Sequence, residues 1–209
     1  MGMSVGHNIE QMSRTTKFGM RLCLGEIVLR GCLLLLLVLN INITSILAQE
    51  GEGDVINREG QIKAAYIYQF GRYVEWPPNA FSGPQSPFII GVFSEGSVTS
   101  NLSQLAQSKK IQDRSIEIRR CTPSSNFALF HILFLPASLK PEIQTEIIRQ
   151  TAGKNVLLVG EESKFLTGGG DISFVTEENN IRLHIARKAI EQQGLNVSSK
   201  LLQVGKIVD

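Results

Sequence analysis

Cysteine and histidine are scarce in this chain, at three of each in 209 residues. Two of the cysteines and one histidine fall in the first 48 residues, which leaves Cys121, His131 and His184 for the rest. A set of Cys and His ligands at metal-binding spacing is therefore absent from the sequence pattern. A lone cysteine also excludes an intramolecular disulfide in an oxidising compartment. The only G-x-S-x-G pattern is Gly2 to Gly6, within those first 48 residues, so no Ser of the remaining chain sits in a nucleophile elbow. Gly168-Gly169-Gly170 is followed neither by Lys and Ser/Thr nor by a helical pattern, so neither nucleotide-binding fingerprint is met and a flexible entry to the next strand is the plainer reading. The paired carboxylates Glu161-Glu162 and Glu177-Glu178 have turn-like settings, where adjacent acids point into water. No catalytic residue, metal ligand or cofactor is assigned on this pattern.

Long apolar runs are equally few. LLLLLVL at residues 33–39 stands alone, with Arg21 and Arg30 before it and Ile46-Leu47-Ala48 after it. Basic, apolar, then small is the order of a secretory signal peptide cut after Ala48. Asn40 and Asn42 interrupt the run well short of the ~20 residues that a membrane-spanning helix needs. Residues 1–19 are long for an n-region, which points to Met20 as the true start. Leu29-Arg30-Gly31-Cys32 is no lipoprotein box, because its cysteine precedes the apolar run. The leader holds four basic and two acidic residues, so the chain's +2 charge belongs to it and the remainder is formally neutral. A neutral domain without a basic stripe excludes nucleic acid as a partner class.

What the chain does have is patterned. Residues 49–57 read as a disordered lead-in, with Asn57 a candidate helix cap. Gln61 to Pro77, QIKAAYIYQFGRYVEWP, places Ile62, Tyr66, Phe70, Tyr73 and Val74 at helical spacing, with Gln61, Lys63, Gln69, Arg72 and Glu75 between them as the solvated side. Trp76-Pro77-Pro78 ends it. Residues 77–87 form a proline-rich connector. Phe88 to Phe93 and His131 to Leu135 read as buried strands, as does Val156 to Val159, whereas Ile116 and Ile118 alternate with polar residues in a half-buried one. Helices are expected after Ser97 or Thr99 and from Pro141, whose position suits a first turn. Asp171–Thr176 and Ile181–Ile185 flank a turn-like Glu177 to Asn180 and predict a hairpin, followed by a helix over Ala186–Gln193. The tail admits either a short helix from Ser199 or an edge strand. The alternation predicts a single α/β domain over residues 58–209, a mixed sheet flanked by helices with a C-terminal hairpin and helix.

Seven blocks in order resemble the YfiR-like family of periplasmic proteins: QIKAAYIYQF with VEWP, PFIIGVF, HILFLPAS, VLLVGE, GGGDISFV, NIRLHIAR and GLNVSSKLLQV. The resemblance covers nearly everything after residue 57. It implies a non-enzymatic periplasmic regulator that binds the sensory portion of an inner-membrane diguanylate cyclase and holds it inactive, limiting cyclic-di-GMP and biofilm. It also implies a homodimer. Family members often carry cysteine where His131 opens HILFLPAS, so a redox role is not carried over. The second reading is a periplasmic small-molecule binding domain feeding a sensor kinase, with its pocket near Trp76 and the glycines. Candidate binding residues are Trp76, as pocket wall, interface anchor or core cap, together with Phe165, Gly168, Gly169, Gly170, Glu177 and Arg182.

Overall fold

The computed structural model describes residue 53, residues 55–178 and residues 180–208, and Val55–Asp209 cluster as one compact unit. The expected leader and the expected cleavage after Ala48 lie outside the described residues. Helix α1 occupies residues 55–73, so it is already formed at positions that the sequence pattern assigns to the lead-in before Asn57. It ends before Val74–Glu75, which is a short strand, β1. The proline pair therefore stops not the helix itself but the strand that follows it.

The buried face of α1 is rotated from the expected one. Ala64, Ile67, Phe70 and Val74 are fully buried, whereas Ile62 is 38 % exposed and Tyr66 and Tyr73 are only partly covered. Large aromatic side chains dominated the expected stripe; the face that packs is instead the one where Gly60, Ala64 and Gly71 let the helix approach its neighbours. Small residues allow close backbone approach, and that geometry outweighs the hydrophobic payload of the tyrosines, whose hydroxyls favour a wet edge.

Four strands have near-continuous apolar sequences because they are covered on both faces. These are β2 (Phe88–Val92), β5 (Ile132–Leu135), β6 (Leu157–Glu161) and the first half of β7 (Ile172–Glu177). Alternate residues go to opposite cores, as the period of two demands. Phe88, Ile90, Ile132, Phe134, Leu157 and Val159 pack under α1 and α2 (Ser97–Ser108); Ile89, Leu133, Leu135 and Leu158 pack under Ile147 of α3 (Pro141–Thr151). Pro141 stands in the first turn of α3 as expected, while α2 is preceded by Gly96 without a side-chain cap.

With β3 (Lys110–Ile111), β4 (Arg114–Arg120), β8 (Asn180–Ile185) and β10 (Lys206–Ile207), these strands build an eight-stranded mixed sheet in the order β10-β8-β7-β6-β5-β2-β4-β3. Strands β4, β2, β5, β6 and β7 run parallel, and β7–β8 is the antiparallel hairpin. Its turn is tighter than the four-residue loop expected, since Glu177 pairs directly with Asn180 and Glu178 takes φ +49°. A helix α5 (Arg187–Gln192) follows. The tail forms both alternatives that the sequence leaves open: α6 (Ser199–Leu202) and then β10, parallel to β8. Between them and α5, β9 (Asn196–Val197) pairs with β1.

The parallel core has two functional ends. At the end where β2, β5 and β6 begin, β1–β9, the residues before β6 and the end of α5 are braced together. Trp76 Nε1 donates to Asn155 O at 2.9 Å, and Asn155 N donates to Gln193 O at 3.1 Å. The loops that leave β5, β6 and β7 gather at the opposite end, where open α/β sheets characteristically hold ligands.

Candidate functional site

A partly buried ion cluster organises the end where the strands finish. Glu161 is the last residue of β6. Its carboxylate accepts from Ala137 N at 2.6 Å, in the loop leaving β5, and is bonded to the Lys63 ammonium from α1. Lys63 reaches Glu59 Oε1 as well, at 2.6 Å, one helical turn back. Burial by itself would lower the Lys63 pKa, but the hydrogen bonds it donates to Glu161 and Glu59 outweigh it and the pKa is raised, so the side chain is charged at any physiological pH. Charged pairs partly withdrawn from water persist where each partner is neutralised and hydrogen-bonded, a condition that all three groups meet here.

Glu161 is also the partition between two recesses. One, about 220 Å³, lies between the loop after β5, the first half of α3 and the segment after β6, with Leu139, Ile148 and Phe165 as apolar wall. The other, about 490 Å³, opens toward Lys63, Ser163 and Thr176. Ala137, Glu161 and Glu162 line both.

The candidate residues separate between the two faces of the sheet and the hairpin. Trp76 is 7 % exposed and packs edge-on against Phe88 at 4.9 Å, near His131 at 6.4 Å. Trp76 packs beside Phe88 in the core under α1 and α2, whereas Phe165, around which the glycines close, packs in the α3-side core, so the sheet lies between them. Neither recess described above is lined by Trp76, and Gly168 is the one glycine of the run that lines the smaller. Trp76 is a core cap, and its ring is already covered. His131 is sandwiched between Phe81 and Phe88 at 4.5 and 4.7 Å and accepts Ile89 N–H on Nδ1 at 2.9 Å. Burial pushes its pKa down to about 4, so the ring is neutral.

Phe165 belongs to α4 (Lys164–Thr167), is 3 % exposed and meets the surface only as part of the wall of the smaller recess. The glycines explain its position. A Cβ on Gly170 would stand 2.2 Å from Phe165 Cε1, and one on Gly160 would stand 2.4 Å from Cδ1, so the ring occupies the space that two missing side chains leave. Gly169 takes φ +102°, which strains any other residue, while Gly168 sits on the rim of the smaller recess. The glycine run is therefore a packing device. Gly170→Ala is expected to destabilise by about 1–3 kcal/mol, as overpacking of a filled core does. Denaturant titration checks it, and Phe165→Leu in the same chain should recover part of the loss through the shared contact.

Glu177 and Arg182 are exposed on the hairpin, on one face of it, since Val175 pairs with Arg182 and Glu177 with Asn180. The face continues into buried His184, whose Nε2 is 3.2 Å from Glu177 Oε1 without the alignment of a hydrogen bond. Hairpin pattern alone found this surface. No local signal could have found the Lys63–Glu161 pair: its members are 98 residues apart, Lys63 reads as solvated side and Glu161 as half of a surface doublet. Burial reverses that expectation for Glu161, though Glu162 is half exposed.

Asp171 is the other buried acid. It is wholly enclosed, accepts Leu158 N–H on Oδ2 at 2.7 Å and has no hydrogen-bond partner for Oδ1. Burial pushes its pKa up to about 8. Cys121 is buried in the α3-side core and its thiol is pushed up to about 11, the setting of an inert thiol. Among the described residues, no group of three or more His, Cys, Asp or Glu side chains is placed to hold a metal ion. No helix among them is long and apolar enough to cross a membrane.

A family model described as YfiR/HmsC-like matches residues 60–206, from the second turn of α1 to the first residue of β10. No curated protein matches the chain.

Proposed function

The chain belongs to the YfiR/HmsC-like family, and from that membership we propose that it is a periplasmic regulator that binds the sensory portion of an inner-membrane diguanylate cyclase and holds it inactive. The observation that carries this reading is the extent of the match, which takes in the whole eight-stranded sheet up to the first residue of its edge strand β10. The ionisable groups of the domain support it. Lys63 and Glu161 neutralise one another, His131 is locked in an aromatic sandwich, and Asp171 is sealed from solvent, so each is committed to the fold.

Repression of this kind is differential binding: the regulator lowers activity only to the degree that it prefers the inactive receptor. Holding a balanced receptor 99 % inactive takes roughly a 100-fold preference, about 2.7 kcal/mol. The exposed hairpin with Glu177 and Arg182 is our candidate for the contacting surface, because it projects charged side chains on a rigid two-stranded element.

The test is capture of membrane proteins from the native cell by the purified chain and by a Glu177→Ala/Arg182→Ala variant. Recovery of a diguanylate cyclase by the parent, reduced at least ~10-fold by the variant, is expected if two charge-assisted contacts are lost. Deletion of the gene should raise cellular cyclic-di-GMP. An unchanged level, with no cyclase captured, would remove the repressor reading; capture of a sensor kinase instead would redirect it.

A further inference from the structure

We propose that the recess of about 220 Å³ between α3 and the β6–α4 connection is a binding site for a small primary amine with a short apolar tail. The assignment concerns this domain alone and does not rest on the regulatory reading.

The polar atoms of the lining decide the chemistry. Its donors are largely spent inside the protein. Gln144 Nε2 donates to Leu139 O at 2.9 Å and Thr145 Oγ1 to Pro141 O at 2.9 Å. Ala137 N–H is committed to Glu161, as is the Lys63 ammonium behind it. The cation on the rim, Lys164, is 77 % exposed and held by Glu162 Oε2 at 2.8 Å. What the lining retains is acceptor capacity: Gln144 Oε1, the Thr145 lone pairs and the second oxygen of Glu162. A ligand must therefore arrive as a donor.

Charge points the same way. Glu59, Glu161 and Glu162 against Lys63 and Lys164 leave one net negative charge around the two adjoining recesses. The competing pull is the positive end of α3, which favours anions. Pro141 has no N–H to offer, Ile143 N and Gln144 N both donate to Lys140 O, and Glu142 already complements the dipole there. A carboxylate entering the recess would face Glu162 at close range with few donors to hold it. An ammonium finds a half-exposed carboxylate and two neutral acceptors.

The apolar wall supplies the other half of the specificity. Leu139, Ile148 and Phe165 are positioned to cover a hydrocarbon tail, and Phe165 is fixed by Gly160 and Gly170 beneath it. The volume is below the ~300–1,000 Å³ of a drug-sized site, so the tail is short. The location is independent support, since it lies outside the carboxyl ends of parallel strands β5 and β6, where this class of sheet binds ligands.

The experiment is calorimetric titration of the purified protein with n-hexylamine, using n-hexanol and hexanoate as matched probes that lack the cation or reverse the charge. Saturable one-to-one binding of the amine alone is expected. Glu162→Gln, at a half-exposed position that leaves the fold alone, should weaken it about 10-fold, the loss of one charge-assisted contact. Ile148→Trp, which fills the recess, should abolish it. If Ile148→Trp fails to fold, Glu162→Gln decides by itself. Binding of hexanoate as tight as that of the amine, amine binding untouched by Glu162→Gln, or no saturable binding by any probe would each overturn the proposal.

Discussion

Trp76→Ala is expected to cost about 3–5 kcal/mol of folding stability, the range for truncating a buried aromatic. At the ~2–4 °C per kcal/mol typical of a domain this size, the midpoint of thermal unfolding should fall by roughly 10 °C. Three losses combine in that figure. The edge-to-face contact with Phe88 at 4.9 Å disappears, a cavity opens beside the His131 sandwich, and Asn155 O loses the donor that ties the exit of α1 to the loop before β6. Glu177→Ala/Arg182→Ala provides the contrast, since exposed hairpin substitutions usually stay within ~0.5 kcal/mol. A Trp76→Ala chain that melts like the parent would place Trp76 outside the core and reopen it as an interface anchor. The distinction matters for partner capture, because loss of binding in the Trp76 variant reports unfolding and loss in the hairpin variant reports contact.

The second large effect is a pH dependence that one substitution should rewrite. Asp171 has a folded pKa raised to about 8 from 3.8. Its folded form holds a proton that the unfolded chain releases, so its contribution to stability is complete below about pH 4 and is lost as pH rises through 8. His131 is the opposite case, with a folded pKa lowered to about 4 from 6.5. Its contribution is complete above pH 6.5 and is lost as pH falls through 4. Between pH 4 and 6.5 the two slopes cancel. Between 6.5 and 8 Asp171 acts alone, and stability should fall by about 1.4 kcal/mol per pH unit.

Asp171→Asn removes the ionisation while keeping an oxygen for Leu158 N–H. In that variant the decline above pH 6.5 should vanish, leaving the rise between 4 and 6.5 that His131 produces. Denaturant unfolding at four or five pH values checks both limbs. Parent and variant curves of identical shape would show that Asp171 is ionised in the folded protein and that an unobserved partner satisfies it.

Much of this architecture is legible in the chain because it depends on local pattern. Apolar runs without alternation announced β2, β5 and β6 as strands covered on both faces, and Pro141 marked the first turn of α3. The hairpin over residues 172–185 followed from two strand-like runs about a turn composition. Those signals survive in the folded protein because each is dictated by what a single element must bury.

The functional ends were not legible in this way. Of the stripe Ile62, Tyr66, Phe70, Tyr73 and Val74, Phe70 and Val74 are fully buried but the other three are not, since periodicity measures hydrophobic content and cannot measure how closely Gly60, Ala64 and Gly71 let the helix approach. Trp76 and the glycine run are each conspicuous in sequence, yet the fold puts Trp76 in the core on one face of the sheet and the Phe165 ring that the glycines surround in the core on the other. The Lys63–Glu161 pair, the recesses beside it and the sealed Asp171 each depend on which strand lies beside which.

The sequence by itself determined the α/β class, the family and most of the element order, because hydrophobic period and turn chemistry act over a few residues. Only the tertiary structure decided which charges are buried, which aromatics are spent on the core and where a ligand could enter. Burial and pairing are properties of residues brought together across as many as 98 positions, and no short stretch of chain contains them.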